Sequence, residues 1–218
     1  MEILDLIPVT LDTNEIAARL RFDASRTGFT ILDELVALAQ GLFRPRGVFE
    51  VAYVGAKGER TVEVAGVAFE SPILRENLET ANKVFPYIIT AGPELEQTAR
   101  AQGDLLKQYY LEEIANLALE QAAGWLSGHL EEHYGLANLS NMSPGSLEDW
   151  PITEQAKLFS IFGDTEKLIG VRLTDSMLMI PRKSISGILF PSEEGFVACQ
   201  LCEREHCPGR KAPHRSDA

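Results

Sequence analysis

The residues best suited to chemistry lie close to the C-terminus. All three cysteines of this 218-residue chain fall in one short run, Cys199-Gln-Leu-Cys202-Glu-Arg-Glu-His206-Cys207-Pro208. Cys-x-x-Cys lets two thiolates from one turn reach the same metal, and the third comes from the next turn. In a reducing compartment such clustering favours metal over a disulfide. Two centres fit Cys199, Cys202 and Cys207. One is an iron–sulfur cluster with an open or external fourth position, its last cysteine followed by proline as in ferredoxin-like runs. The other is zinc, with His206 or His214 as fourth ligand. A tail of uncoordinated thiols is the plain alternative. Arg210, Lys211 and Arg215 make this end locally basic, suited to a phosphate or an acidic partner, or simply a frayed terminus.

Three other groupings are candidates for chemistry. His129-Leu-Glu-Glu132-His133 matches the inverted zinc-peptidase pattern H-x-x-E-H, and on a helix the two histidines share a face. No third ligand follows, and a histidine pair at a helix C-terminus, favourable to the dipole, is the simpler account. Glu112, Asn116 and Glu120 recur four apart, which reads first as a solvated helix face. Ser143-Pro144-Gly145-Ser146 is a turn, because proline fixes φ and glycine permits φ > 0.

Composition narrows the classes. A formal net charge of −12 argues against nucleic acid as a partner, since phosphate binding needs clustered Lys and Arg. At 45% hydrophobic the chain can bury a sizeable core. The N-terminus lacks the basic and apolar regions of a signal peptide, and no run approaches membrane-spanning length. The expectation is a cytoplasmic protein with no membrane contact.

Patterning supplies the elements that must hold these residues. Met1–Val9 reads as an edge strand. Asp12 and Thr13 can cap a helix over Glu15–Arg21, and Thr30 can cap one over Ile31–Leu42, with Leu32, Leu35, Val36 and Ala39 on one face. Val48–Val54 and Thr61–Phe69 form a hairpin around Lys57-Gly58. Leu74–Val84 reads as a helix, Phe85–Thr90 as a buried strand, and another helix starts near Glu94. Asp104–His133 is the longest helical pattern, its stripe running through Leu106, Tyr110, Ile114, Leu117, Ala118, Trp125 and Leu130. A short helix covers Thr153–Phe162. Strand-like runs at Ile169–Leu173 and Ser184–Phe190 flank the apolar loop Met177–Pro181. The fold class is α+β, a twisted antiparallel sheet flanked by helices. Residues 1–195 form the domain and 196–218 a Cys-rich metal-binding tail.

The stretch from Asn141 to Pro191 also resembles a known family. Ser143-Pro144-Gly145, Lys157-Leu158-Phe159, Gly170-Val171-Arg172-Leu173-Thr174-Asp175-Ser176, Met179-Ile180-Pro181 and Ile185-Ser186-Gly187 follow, in order and spacing, the pattern of the activation domain of cobalamin-dependent methionine synthase. The resemblance implies a free-standing reactivation component. It would support reductive methylation of cob(II)alamin with S-adenosylmethionine, the cobalamin being carried by the partner. That partner is a corrinoid-binding methyltransferase, or a methionine synthase lacking its own activation domain. It implies a ligand site at Asn141, Ser143, Pro144, Gly145 and Ser146, and a partner-facing pair at Asn116 and Glu120. It implies no catalytic side chain, because the chemistry resides in the cofactor. Two departures stand out. Asn141 occupies the family's Arg position and Ser146 its Tyr position, so a guanidinium fork to the ligand carboxylate is lost unless Arg172 or Arg182 supplies one. Asn116 replaces the first acid of the pair. The alternative is a non-catalytic corrinoid-protein-binding module, or an electron relay, that no longer binds S-adenosylmethionine.

Overall fold

The computed structural model describes residues 1–20, 22, 26–192, 195–196, 198–202, 210 and 212–214. Along the chain the first half forms strand β1 (Glu2–Leu4), helices α1 (Thr13–Leu20) and α2 (Arg26–Leu42), and strands β2 (Arg46–Phe49), β3 (Ala52–Lys57), β4 (Thr61–Val64) and β5 (Val67–Glu70). Helix α3 (Pro72–Asn77), strand β6 (Lys83–Thr90), and helices α4 (Pro93–Arg100) and α5 (Leu105–Tyr134) follow. The last part holds β7 (Leu139–Met142), α6 (Gln155–Ser160), α7 (Thr165–Ile169), β8 (Arg172–Leu173), β9 (Met179–Ile180) and β10 (Ser184–Pro191).

β6 is the axis of an eight-stranded antiparallel sheet. One of its edges takes β2 and then β3, and the other takes β10, which pairs β7 in turn. The run 46–57 is split into two strands for a local reason. Phe49 pairs Tyr87 and Ala52 pairs Val84, so Glu50 faces Pro86. Glu50 N–H donates to the Pro86 carbonyl at 3.0 Å, but proline has no N–H to return the bond, and the ladder lapses there.

Both faces of the sheet are covered, which is why β6 is buried along nearly its whole length. On one face Phe85, Tyr87, Ile89 and Leu189 pack on Leu119, Ala122, Leu126 and Leu130 of α5. On the other, Val48 and Ile88 pack on Phe159, Phe162, Ile169 and Val171. α1, α2, α4 and α5 share a helical core at one end. Trp150, Phe69 and Leu158 anchor a second core at the other end, where Phe69 and Trp150 meet edge-on at 6.0 Å.

Several expected boundaries change. α2 begins at Arg26, so Thr30 lies inside it and not at its cap. α3 is short: Ser71 caps it by accepting from Leu74 N–H at 3.1 Å, and Val84 belongs to β6. Thr61–Phe69 is two strands folded back at Ala65-Gly66, both at positive φ (54° and 77°), the backbone of a tight hairpin turn. Of the run Ile169–Leu173 only Arg172–Leu173 is strand (β8), because α7 ends at Ile169 and Gly170 caps it in the left-handed region. The loop Met177–Pro181 contributes β9, which pairs β8. On α5 the buried line runs through Leu111, Ile114, Ala115, Ala118, Leu119, Ala122, Leu126 and Leu130, whereas Leu106 is 58% exposed.

Candidate functional site

β7 runs straight into the Pro-Gly turn. Ser146 N–H donates to the Ser143 carbonyl at 3.1 Å, closing a four-residue turn with Gly145 at φ 81°. Gly145 N–H donates to the Trp150 carbonyl at 2.7 Å, tying the turn to the buried Trp150. A Cβ at Gly145 would come within 2.9 Å of Ile152 Cδ1, so both space and φ require glycine here. Pro144 is buried, while Asn141, Gly145 and Ser146 are exposed and Ser143 is half-buried. The site therefore presents backbone and short polar groups on an anchored base.

The inner wall of this turn comes from the sheet. Tyr87 is buried, and its hydroxyl donates to Asn141 Oδ1 at 3.2 Å. Burial pushes the phenol up to about 12, even though the hydrogen bonds with Asn141 and Ser143 pull it the other way. The hydroxyl is thus a proton donor throughout the neutral range. Gly187 of β10 stands in register with Tyr87. A Cβ there would lie 2.5 Å from the Met142 carbonyl oxygen, 2.8 Å from Asn141 Oδ1 and 2.8 Å from Ser143 Oγ. The glycine of the Ile-Ser-Gly motif is therefore what lets the start of the turn close onto the sheet. Sequence reasoning missed Tyr87 altogether. Its only signal was a phenol in the middle of the apolar run of β6.

The two arginines offered as substitutes for the missing guanidinium are otherwise engaged. Arg182 Nε donates to Glu96 Oε1 at 2.7 Å, its backbone N–H donates to Glu96 Oε2 at 2.9 Å, and its Nη2 reaches Glu112 at 3.3 Å. Burial alone would raise the Glu96 carboxyl. The hydrogen bonds and charge of Arg182, with the charge of Arg100, outweigh it and hold the group below the usual carboxylate range. Arg172 lies 3.8 Å from Glu166 on the surface.

Asn116 and Glu120 are both held within the molecule. Lys183 Nζ donates to Asn116 Oδ1 at 2.8 Å and lies 3.3 Å from Glu112. Asn116 Nδ2 donates to Glu113 at 3.3 Å. Glu120, exposed, pairs with Arg19 of α1 at 3.1 Å. One turn before the end of α5, His129 lies between Trp125 at 4.8 Å and His133 at 5.9 Å in a stacked ladder. Among the described residues no group of three or more His, Cys, Asp or Glu is arranged to hold a metal. Cys207 and His206 lie outside the described residues, and Cys199 and Cys202 are half-buried. No helix among the described residues is long and apolar enough to cross a membrane.

This mixed helix and antiparallel-sheet architecture is a reactivation-domain fold. The chain resembles the solved MetH reactivation domain bound to AdoHcy at a TM-score of 0.61 and 20% identity, over 86% of this chain and 70% of that chain. Residues 141–207 match the sequence model of the family described as vitamin B12 dependent methionine synthase, activation domain. The resemblance read from Asn141–Pro191 holds, and the matched span reaches Cys207. No curated protein matches the chain.

Proposed function

We propose that this protein is a reactivation component for a corrinoid-dependent methyltransferase such as methionine synthase. It acts on a partner chain that carries the corrinoid. The turn Ser143–Ser146 receives S-adenosylmethionine, and Asn141 lies beside it. There an external low-potential one-electron donor would reduce the partner's cob(II)alamin to cob(I)alamin, which would take the methyl group from the sulfonium and leave AdoHcy, while this chain's turn would hold and orient the methyl donor. The single observation that carries this reading is the anchored Pro-Gly turn, lying within the segment that matches the activation-domain family. The AdoHcy seen in the structural neighbour supports a ligand of the same class. The chain's own groups bind and orient; the reactivity belongs to the corrinoid and the sulfonium.

Losing a charged hydrogen bond at the Arg position costs on the order of 1.5–3 kcal/mol, so the affinity is expected to be weaker by about ten-fold or more than a guanidinium would give. A second reading follows from that substitution. Asn141 is exposed and neutral, and Arg182 is committed to Glu96. These favour a corrinoid-protein-binding module or electron relay that has dropped the methyl donor.

Calorimetric titration of the full chain with S-adenosylmethionine and AdoHcy separates the two. Binding, together with restored turnover when the chain is added to a methionine synthase truncated before its activation domain, supports reactivation. Absence of heat at millimolar ligand ends the first reading and leaves the second.

A further inference from the structure

Three anchors follow the Pro-Gly turn along the chain. Trp150, fully buried, accepts from Gly145 N–H through its carbonyl at 2.7 Å. Ile152 lies against the same glycine, its Cδ1 2.9 Å from where a Cβ on Gly145 would stand. Glu154 fixes the far end. Ile152–Glu154 is one turn of 3-10 helix, closed by Glu154 N–H donating to the Pro151 carbonyl at 3.0 Å. In that geometry residues two apart point to different sides, so Ile152 faces the Pro-Gly turn while Glu154 faces the body of the protein. Glu154 is a buried acid, its side chain 9% exposed. One oxygen accepts from Glu70 N–H at 2.9 Å, and the other pairs with Lys157 Nζ at 2.8 Å. Glu70 is the last residue of β5, and β5 ends the strand order of the sheet, so this N–H has no further strand to meet. A carboxylate that takes up a backbone N–H makes a charge-assisted bond, stronger than a neutral one. Ile152, by contrast, is 43% exposed, so its own burial fixes it poorly.

We propose that Glu154 is a positioning residue for the Pro-Gly turn. It pins the 3-10 turn to the edge of the sheet, the 3-10 turn sets Ile152, and Ile152 supports Gly145. A site made of backbone and short polar groups has no long side chain that could adjust to a ligand, so its frame must be in place before the ligand arrives. For its effect on ligand binding the proposal rests on the reading of Ser143–Ser146 as the methyl-donor site. Its effect on Gly145 does not depend on that reading.

The test follows the Gly145 amide by NMR and AdoHcy binding by calorimetry, in the full chain and its variants. The short bond to Trp150 is expected to place the wild-type Gly145 N–H resonance downfield and to slow its exchange with water. Glu154→Ala is expected to move that resonance upfield and to weaken AdoHcy binding about three- to ten-fold. Glu154→Gln keeps an oxygen that can accept from Glu70 N–H. It is expected to restore both readouts, since the Lys157 partner it loses is 42% exposed and contributes little. Ile152→Ala removes the support alone and is expected to shift Gly145 as Glu154→Ala does. A lower melting temperature with the Gly145 resonance and the affinity unchanged overturns the proposal, and so does a failure of glutamine to restore them. If Glu154→Ala does not fold, Ile152→Ala decides, and an unmoved Gly145 resonance overturns the proposal. If the wild-type chain binds no AdoHcy but the resonance moves as expected, the methyl-donor reading fails and the positioning of the turn stands.

Discussion

Tyr87 on β6 reaches past β10 to donate a hydrogen bond to the Asn141 side-chain oxygen at 3.2 Å. This fixes the amide with its oxygen inward and its two N–H donors directed away from the phenol, where a ligand carboxylate can accept them. Tyr87→Phe is therefore expected to lower AdoHcy affinity about three- to ten-fold by calorimetry and to cost about 1 kcal/mol of stability. Asn141→Arg should raise the affinity about ten-fold by restoring a fork. If neither variant moves the affinity, Asn141 does not contact the ligand. Because Tyr87 is pushed up to about 12 from an ordinary value of 10.0, folding stabilises its neutral form. That contribution is complete below pH 10, and it is lost as pH rises through 12. Denaturant titrations of wild type and Tyr87→Phe should converge over that window.

Gly187 tests whether the site is built on close backbone approach. Gly187→Ala must displace the Met142 carbonyl, 2.5 Å from the new methyl group. We expect a loss of about 1–3 kcal/mol, as for other overpacked positions, and a larger fall in ligand affinity than the stability change alone implies. A fully stable alanine variant with unchanged binding would show that the strands part without effect on the turn.

Glu96 joins α4 to the residues that precede β10. Its carboxyl lies below the usual range because Arg182 and Arg100 favour the ionised form. Stability from this group is thus present above the unfolded carboxylate range and lost as pH falls through the depressed folded value. Arg182 is 46% exposed, so the pair is screened, and Glu96→Gln should cost only about 1–2 kcal/mol at neutral pH. The variant should also lose less stability than wild type on acidification. Equal acid sensitivity in the two proteins would assign the acid transition to other groups.

Glu120 shares one carboxylate oxygen with Arg19. Their ion pair is exposed on both sides, at 51% and 41%, so Arg19→Ala should change stability by less than about 0.5 kcal/mol. If Glu120 faces the corrinoid partner, the same variant should bind that partner more tightly, measured by titration at low and physiological salt. Glu120→Ala would then bind more weakly, and no change in either variant would remove this residue from the interface.

The α+β class, the long helix α5 and the turn at Pro144-Gly145 were legible because each rests on local chemistry. Leu32, Leu35, Val36 and Ala39 are buried as their spacing requires. The stripe on α5 holds from Tyr110 onward but began too early, because Leu106 looks apolar yet lies at the exposed start of the helix, 58% open. Pattern alone does not say where a covering layer ends. Val84 was assigned to a helix since nothing nearby breaks the run, and the sheet overrode that local preference. Lys183 and Glu112 could not be joined from sequence, because only the packing of β10 beside α5 brings them together. Asn141 was singled out as a missing arginine, whereas its actual neighbour, Tyr87, lies 54 positions away along the chain.

The absent side chain at Gly187 has a consequence for how such a domain can change over time. The shape of the turn is set by main-chain bonds to Trp150 and Ser143 and by room left on β10. The outward position 146 bears little of that load. Substitutions there change the exposed face of the turn at small folding cost, whereas one methyl group at 187 disturbs the frame itself. A lineage built this way is free to vary the exposed face of the turn while its frame stays put.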